Sequence, residues 1–144
     1  MTYLLDTCVI SEYIKKKPNP LVIEWLDNQA KDNLWLSILT IAELKKGIFK
    51  IRNNQPKRYQ KLSQWLEFVK TKFDGHILPL NEEVLNTWAE ITGESEACGK
   101  KLSVIDSLIG ATAQQYNLII VTRNINDFNF SSLPIFNPWG NENP

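Results

Sequence analysis

Val104-Ile105-Asp106-Ser107-Leu108-Ile109-Gly110-Ala111-Thr112-Ala113-Gln114-Gln115-Tyr116, followed by Leu118-Ile119-Ile120-Val121, is the stretch whose reading decides the fold. The first segment carries helical periodicity. The second is a short unbroken apolar run, the pattern of a strand buried on both faces. Outward from it the same alternation recurs. Tyr3-Leu4-Leu5 reads as a first strand, with a short helix from about Val9 to Ile14. Asn19-Pro20 is an N-cap with proline at the first helical position, opening a helix with Leu21, Val22, Trp25 and Leu26. Leu34-Trp35-Leu36 is a second strand; from Thr40, residues Ile41, Leu44, Ile48 and Ile51 share one helical face. A stripe of Tyr59, Leu62, Trp65, Leu66 and Val69 follows Pro56, then a weak strand at Ile77-Leu78 and a helix from Glu82 to Ala97. Ile135-Phe136 makes a short last strand. Strands separated by helices predict an α/β fold: one domain over residues 1–144, with a parallel sheet of about four to five strands and helices on both faces.

Composition agrees and excludes several classes. At 144 residues the chain can bury about two-thirds of its unfolded surface, so it needs neither disulfides nor a structural metal. Sixteen Lys and Arg balance sixteen Asp and Glu, which excludes a polybasic tail. No apolar run is long enough to span a bilayer. The N-terminus lacks a basic region and Asp6 interrupts its apolar stretch, so no signal peptide is expected. Cys8 and Cys98 are expected as reduced thiols in a cytoplasm. With a single histidine, His76, a His-rich zinc site is excluded, and any chemistry falls to carboxylates.

In a parallel sheet all strand C-termini share one edge, and ligands bind there. Asp6 ends the first strand, Glu43 is expected in the first turn of the helix after the second, Asp106 opens the helix before Leu118–Val121, and Asp127 follows that strand. Crowded acids repel and rise in pKa unless a cation neutralises them. Three or four acids without histidine favour Mg²⁺, with Mn²⁺ as a substitute. Each acid also has a plain structural reading: Thr40-x-x-Glu43 and Ser103-x-x-Asp106 fit capping boxes, and Asp127 lies in a turn-forming stretch. Their joint placement favours the site.

Leu4-Leu5-Asp6-Thr7-Cys8-Val9-Ile10-Ser11-Glu12 resembles the opening of the PIN-domain ribonucleases of the VapC/FitB type. The stretches Ser37–Gly47, Ile105–Ala113 and Val121–Phe128 are similar to the family's later blocks, and Phe136-Asn137-Pro138-Trp139 to an ending seen in the FitB-like branch. The resemblance implies a Mg²⁺-dependent endoribonuclease, the toxin of a toxin–antitoxin pair. It implies catalytic and metal-binding roles for Asp6, Glu43, Asp106 and Asp127, with Asn124 and Thr122 auxiliary. It implies as partners an RNA substrate, a cognate antitoxin, a second copy of the chain, and DNA only through the antitoxin. Two departures stand out: Cys8 where asparagine is usual, and Asn124 where some relatives carry an acid.

An acidic site must still attract a polyanion. Lys45, Lys46, Lys50, Arg52, Lys57, Arg58 and Lys61 lie in one segment without a single Asp or Glu, leaving the rest of the chain with nine bases against sixteen acids. Lys45, Lys46, Lys50 and Arg52 are expected to track RNA phosphates, the plain alternative being a solvated helix surface. Lys100, Lys101 and Arg123 flank the acids. Two rival functions are weighed. An aspartyl phosphotransferase of the haloacid-dehalogenase type needs an acid where Cys8 stands and leaves Glu43 without a role. A catalytically weakened module would act mainly as partner of a DNA-binding antitoxin.

Overall fold

The computed structural model describes residues 1–130 and 132–140; the expected domain's last four positions lie outside them. Five short strands, β1 (Tyr3–Leu5), β2 (Leu34–Ser37), β3 (Ile77–Leu78), β4 (Ile119–Val121) and β5 (Ile135–Phe136), form one parallel sheet in the order β3-β2-β1-β4-β5. Six α-helices accompany them: α1 (Thr7–Ile10), α2 (Pro20–Asp27), α3 (Ile38–Lys50), α4 (Pro56–Lys72), α5 (Glu82–Ala97) and α6 (Val104–Gln115).

Alternation along each strand builds two cores. Leu5, Leu34, Leu36 and Val121 point to one face, where α1 to α4 cover them with Val9, Val22, Leu26, Ile41, Leu44 and Leu66. Leu4, Trp35 and Ile120 point to the other, against Ile109 and Ala113 of α6. A strand two-sidedly buried in this way is continuously apolar, and this is why Leu118–Val121 was legible. The chain first moves outward from β1 through β2 to β3, then returns to the other side of β1 for β4 and β5. The strand order therefore reverses between β1 and β4, and a crevice opens at their C-terminal ends.

Three local expectations are corrected. The first helix starts at Thr7, not Val9, because the Asp6 carboxylate caps it by accepting the Thr7 N–H at 2.9 Å; Ser11–Ile14 continues it as a 3₁₀ turn. The helix expected from Thr40 starts at Ile38, because Ser37 is the cap: its Oγ accepts the Leu39 N–H at 3.1 Å. Glu43 consequently sits in the second turn of α3, not the first. Finally, β4 starts at Ile119, one residue late. Asn117 takes φ 55°, and the Leu118 N–H turns back to the Ala113 carbonyl at 2.8 Å while the Asn117 N–H reaches Gln114 at 3.3 Å. That Schellman closure of α6 consumes Leu118.

The expected tryptophans pack as apolar bodies. Trp25 and Trp65 lie against the first core and Trp35 against the second, while the Trp88 indole N–H donates to Ser107 Oγ at 2.9 Å. His76 precedes β3, at the opposite edge from the strand C-termini, with its ring 4.3 Å from that of Trp35. Among the described residues no helix is long and apolar enough to cross a membrane.

Candidate active site

Asp6 follows the central strand at the point where the sheet order reverses. Its backbone N–H donates to the Val121 carbonyl at 2.9 Å, extending the β1–β4 ladder by one bond and fixing where the side chain leaves. Both carboxylate oxygens are engaged. Oδ1 accepts the Thr7 N–H at 2.9 Å and Oδ2 accepts the Thr122 hydroxyl at 2.8 Å. Thr122 is fully buried and accepts the Asn124 N–H at 3.0 Å, so β4, its following loop and β1 are stitched through one hydroxyl. The Cys8 sulfur lies 3.8 Å from Asp6 Oδ2 and 3.7 Å from Thr122 Oγ1.

The other acids arrive from separate elements. Glu43, half-buried on α3, accepts the Thr7 hydroxyl on Oε1 at 2.7 Å. Asp106 occupies the first turn of α6, whose cap Ser103 receives the Asp106 N–H at 3.5 Å. Ser103 thus supplies half of the expected capping box. Asp127 is exposed on the 3₁₀ turn Ile125–Phe128, which starts after Asn124; the Asp127 N–H closes that turn on the Asn124 carbonyl at 3.0 Å.

Electrostatics join the four. Burial pushes the Asp6 carboxyl above the ordinary carboxylate range; hydrogen bonds from Thr122, Thr7 and Cys8 oppose this, and the Asp127 charge adds to it. Asp106 is raised first by burial, then by Asp127 and Asp6, against the Ser103 hydrogen bond, with a further push from Glu43. Each carboxylate in the group is therefore within electrostatic reach of another. Burial and the neighbouring Asp6 also push the Cys8 thiol up, which keeps it protonated and makes it a poor anionic ligand.

Among the described residues no three His, Cys, Asp or Glu side chains form a ready-made cage around one ion. The four acids share an edge, and their charges help raise the pKa values of Asp6 and Asp106, which a bound cation would relieve. The donor chemistry suits a hard cation. Every contributing atom is oxygen, and Mg²⁺ is commonly held by one or two carboxylates with water in its remaining positions.

Thr7 is the residue that sequence reasoning missed. Its N–H holds Asp6 and its hydroxyl holds Glu43, so one residue ties two of the acids. A hydroxyl directly after an acid that closes a strand was the available signal. Lys45, Lys46, Lys50 and Arg52 are all exposed, and among the described residues none of them forms an ion pair. Arg123 is half-buried, its guanidinium 5.6 Å from the ring centre of Trp139. Lys100 and Lys101 are exposed between α5 and α6.

The profile of the PIN domain matches residues 3–132. Toxin FitB of Neisseria gonorrhoeae is 36% identical over 138 residues, which cover 94% of this chain and 97% of that protein. VapC ribonuclease Y4jK of Sinorhizobium fredii is 33% identical over 137 residues, covering 94% and 96%. The solved structure of FitAB bound to an IR36 DNA fragment superposes with a TM-score of 0.88 at 34% identity, covering 98% of each chain. With the family profile matching most of the chain and relatives matching it over nearly their full length, the chain belongs to the PIN-domain family.

Proposed function

We propose that the protein is a Mg²⁺-dependent endoribonuclease and the toxin component of a toxin–antitoxin pair. The observation that carries this reading is the electrostatic convergence of Asp6, Glu43, Asp106 and Asp127 at the β1/β4 crevice. Toxin and ribonuclease are the names its relatives bear.

Asp6 and Asp106 are the carboxylates that would hold the metal, with Glu43 and Asp127 as supporting ligands. When bound, Mg²⁺ or Mn²⁺ supplies Lewis acidity toward a phosphodiester and lowers the pKa of water. Thr7 and Thr122 orient Asp6 by fixing one oxygen each, which leaves the remaining lone pairs aimed in defined directions. Asp127, exposed at the rim, positions the attacking water and accepts its proton. Lys45, Lys46, Lys50 and Arg52 hold the RNA backbone. Asn124 offers an amide oxygen at the same rim. The partners of this reading are a cognate antitoxin, which bridges to DNA, and a second copy of the chain, in a cytoplasmic setting.

The test is cleavage of single-stranded RNA by protein stripped of metal and then resupplied with Mg²⁺, beside Asp6→Asn. The expected result is activity only with metal and only in the wild type. Undiminished cleavage by metal-free protein or by Asp6→Asn overturns it. One observation favours a second reading: beside Asp6 stands the protonated Cys8 thiol, a weak donor 3.8 Å from Oδ2, where a stronger hydrogen-bonding group would orient the acid better. Antitoxin binding without any cleavage in Mg²⁺ would identify a weakened binding module instead.

A further inference from the structure

Phe49 is 52% exposed near the C-terminal end of α3. The Arg52 guanidinium lies 4.4 Å from its ring centre and 5.1 Å from that of Tyr59, and the two rings are 6.4 Å apart at 32°. The surrounding segment from Lys45 to Lys61 contains seven bases and no acid, and among the described residues none of the seven is ion-paired. Lys46 and Lys50 stand one helical turn apart, where like charges repel. Such a cluster disfavours the isolated fold and is relieved by a polyanion.

The cluster also borders the acids. A largely apolar groove of about 280 Å³ is lined by Thr7, Glu43, Leu44, Ile48 and Leu62 and by one of the seven bases, Arg58. Phe49 lies six residues beyond Glu43, roughly 9 Å along the helix axis. Positive charge beside exposed aromatic faces is the combination that binds unpaired nucleic acid, because every base has a stackable face and every phosphate a charge.

We propose that Phe49, with Arg52 and Tyr59, is a stacking platform for an unpaired base of single-stranded RNA, on the basic α3–α4 surface beside the acidic centre. The platform rests on the RNA reading above and adds to it a base contact that phosphate tracking alone does not require. It holds a nucleotide outside the reacting one, so it governs binding and not the chemical step.

The experiment is fluorescence anisotropy with metal-free protein, using a labelled 2′-O-methyl oligonucleotide and an abasic oligomer of equal length. Phe49→Ala should weaken binding of the base-bearing strand by about 5- to 150-fold, with the salt slope and abasic binding unchanged. Phe49→Trp should retain wild-type binding, and equal melting temperatures establish that the fold is intact. Equal affinity of wild type and Phe49→Ala for the base-bearing strand overturns the platform, as does an equal loss for both probes. Wild-type protein that binds neither strand defeats the RNA reading itself, a result distinct from failure of the platform alone.

Discussion

Asp6 holds a carboxylate where burial and a neighbouring acid both oppose its charge. Its folded pKa lies above the unfolded value, so the proton it retains stabilises the fold in acid, and that contribution disappears as pH rises through the folded pKa. Metal-free Asp6→Asn, which removes the charge and keeps the shape, is therefore expected to melt above the wild type at pH 7. The gain should shrink as pH falls to the range where wild-type Asp6 is protonated. Differential scanning calorimetry across pH in EDTA measures this, and a lower melting temperature at pH 7 contradicts it. Added Mg²⁺ should raise the wild type and leave Asp6→Asn unmoved. Thr122 carries the opposite lesson. Its buried hydroxyl serves Asp6 and the Asn124 N–H together, so Thr122→Val takes its strongest bond from Asp6 Oδ2 and leaves the Asn124 N–H without its partner. A loss of about 1–3 kcal/mol in urea unfolding is expected, with Thr122→Ser recovering most of it.

At the scale of elements, caps decide where the acids stand. Ser37 rather than Thr40 begins α3, and this three-residue difference in capping residue moves Glu43 into the second turn, where Thr7 reaches it. Sequence pattern alone does not choose between two hydroxyl residues so close together, because either can cap. The choice is made by β2, whose ladder to β3 runs through Ser37 and hands the chain to the helix there. Ser37→Ala should cost about 1 kcal/mol in chemical denaturation. Asn117 shows the same principle at a helix end. Its left-handed backbone closes α6, so Asn117→Gly should be tolerated, while Asn117→Val should be destabilising, since β-branched side chains are poorly accommodated at φ 55°. Thermal melts of the pair check this, and equal melting temperatures would contradict it.

Across the whole molecule, Trp139 beyond β5 belongs to the core. Trp139 is 2% exposed and packs in the same cluster as Val9, Val22 and Leu26, while Arg123, next to Thr122, lies over its ring. Trp139→Ala should cost about 3–5 kcal/mol in chemical denaturation. The neutral net charge likewise conceals a division between an acidic sheet edge and a basic α3–α4 lobe. Much of this was already legible in the chain as written: strand and helix identities, the parallel sheet, and the common edge of the four acids, since buried parallel strands and amphipathic helices impose periods of their own on the residues. Distances among side chains were not. That Thr7 ties Asp6 to Glu43 and that Thr122 holds one oxygen of Asp6 depend on residues up to 116 positions apart meeting at one sheet edge. Periodicity reports which face a residue takes, and only packing fixes how close two such faces come.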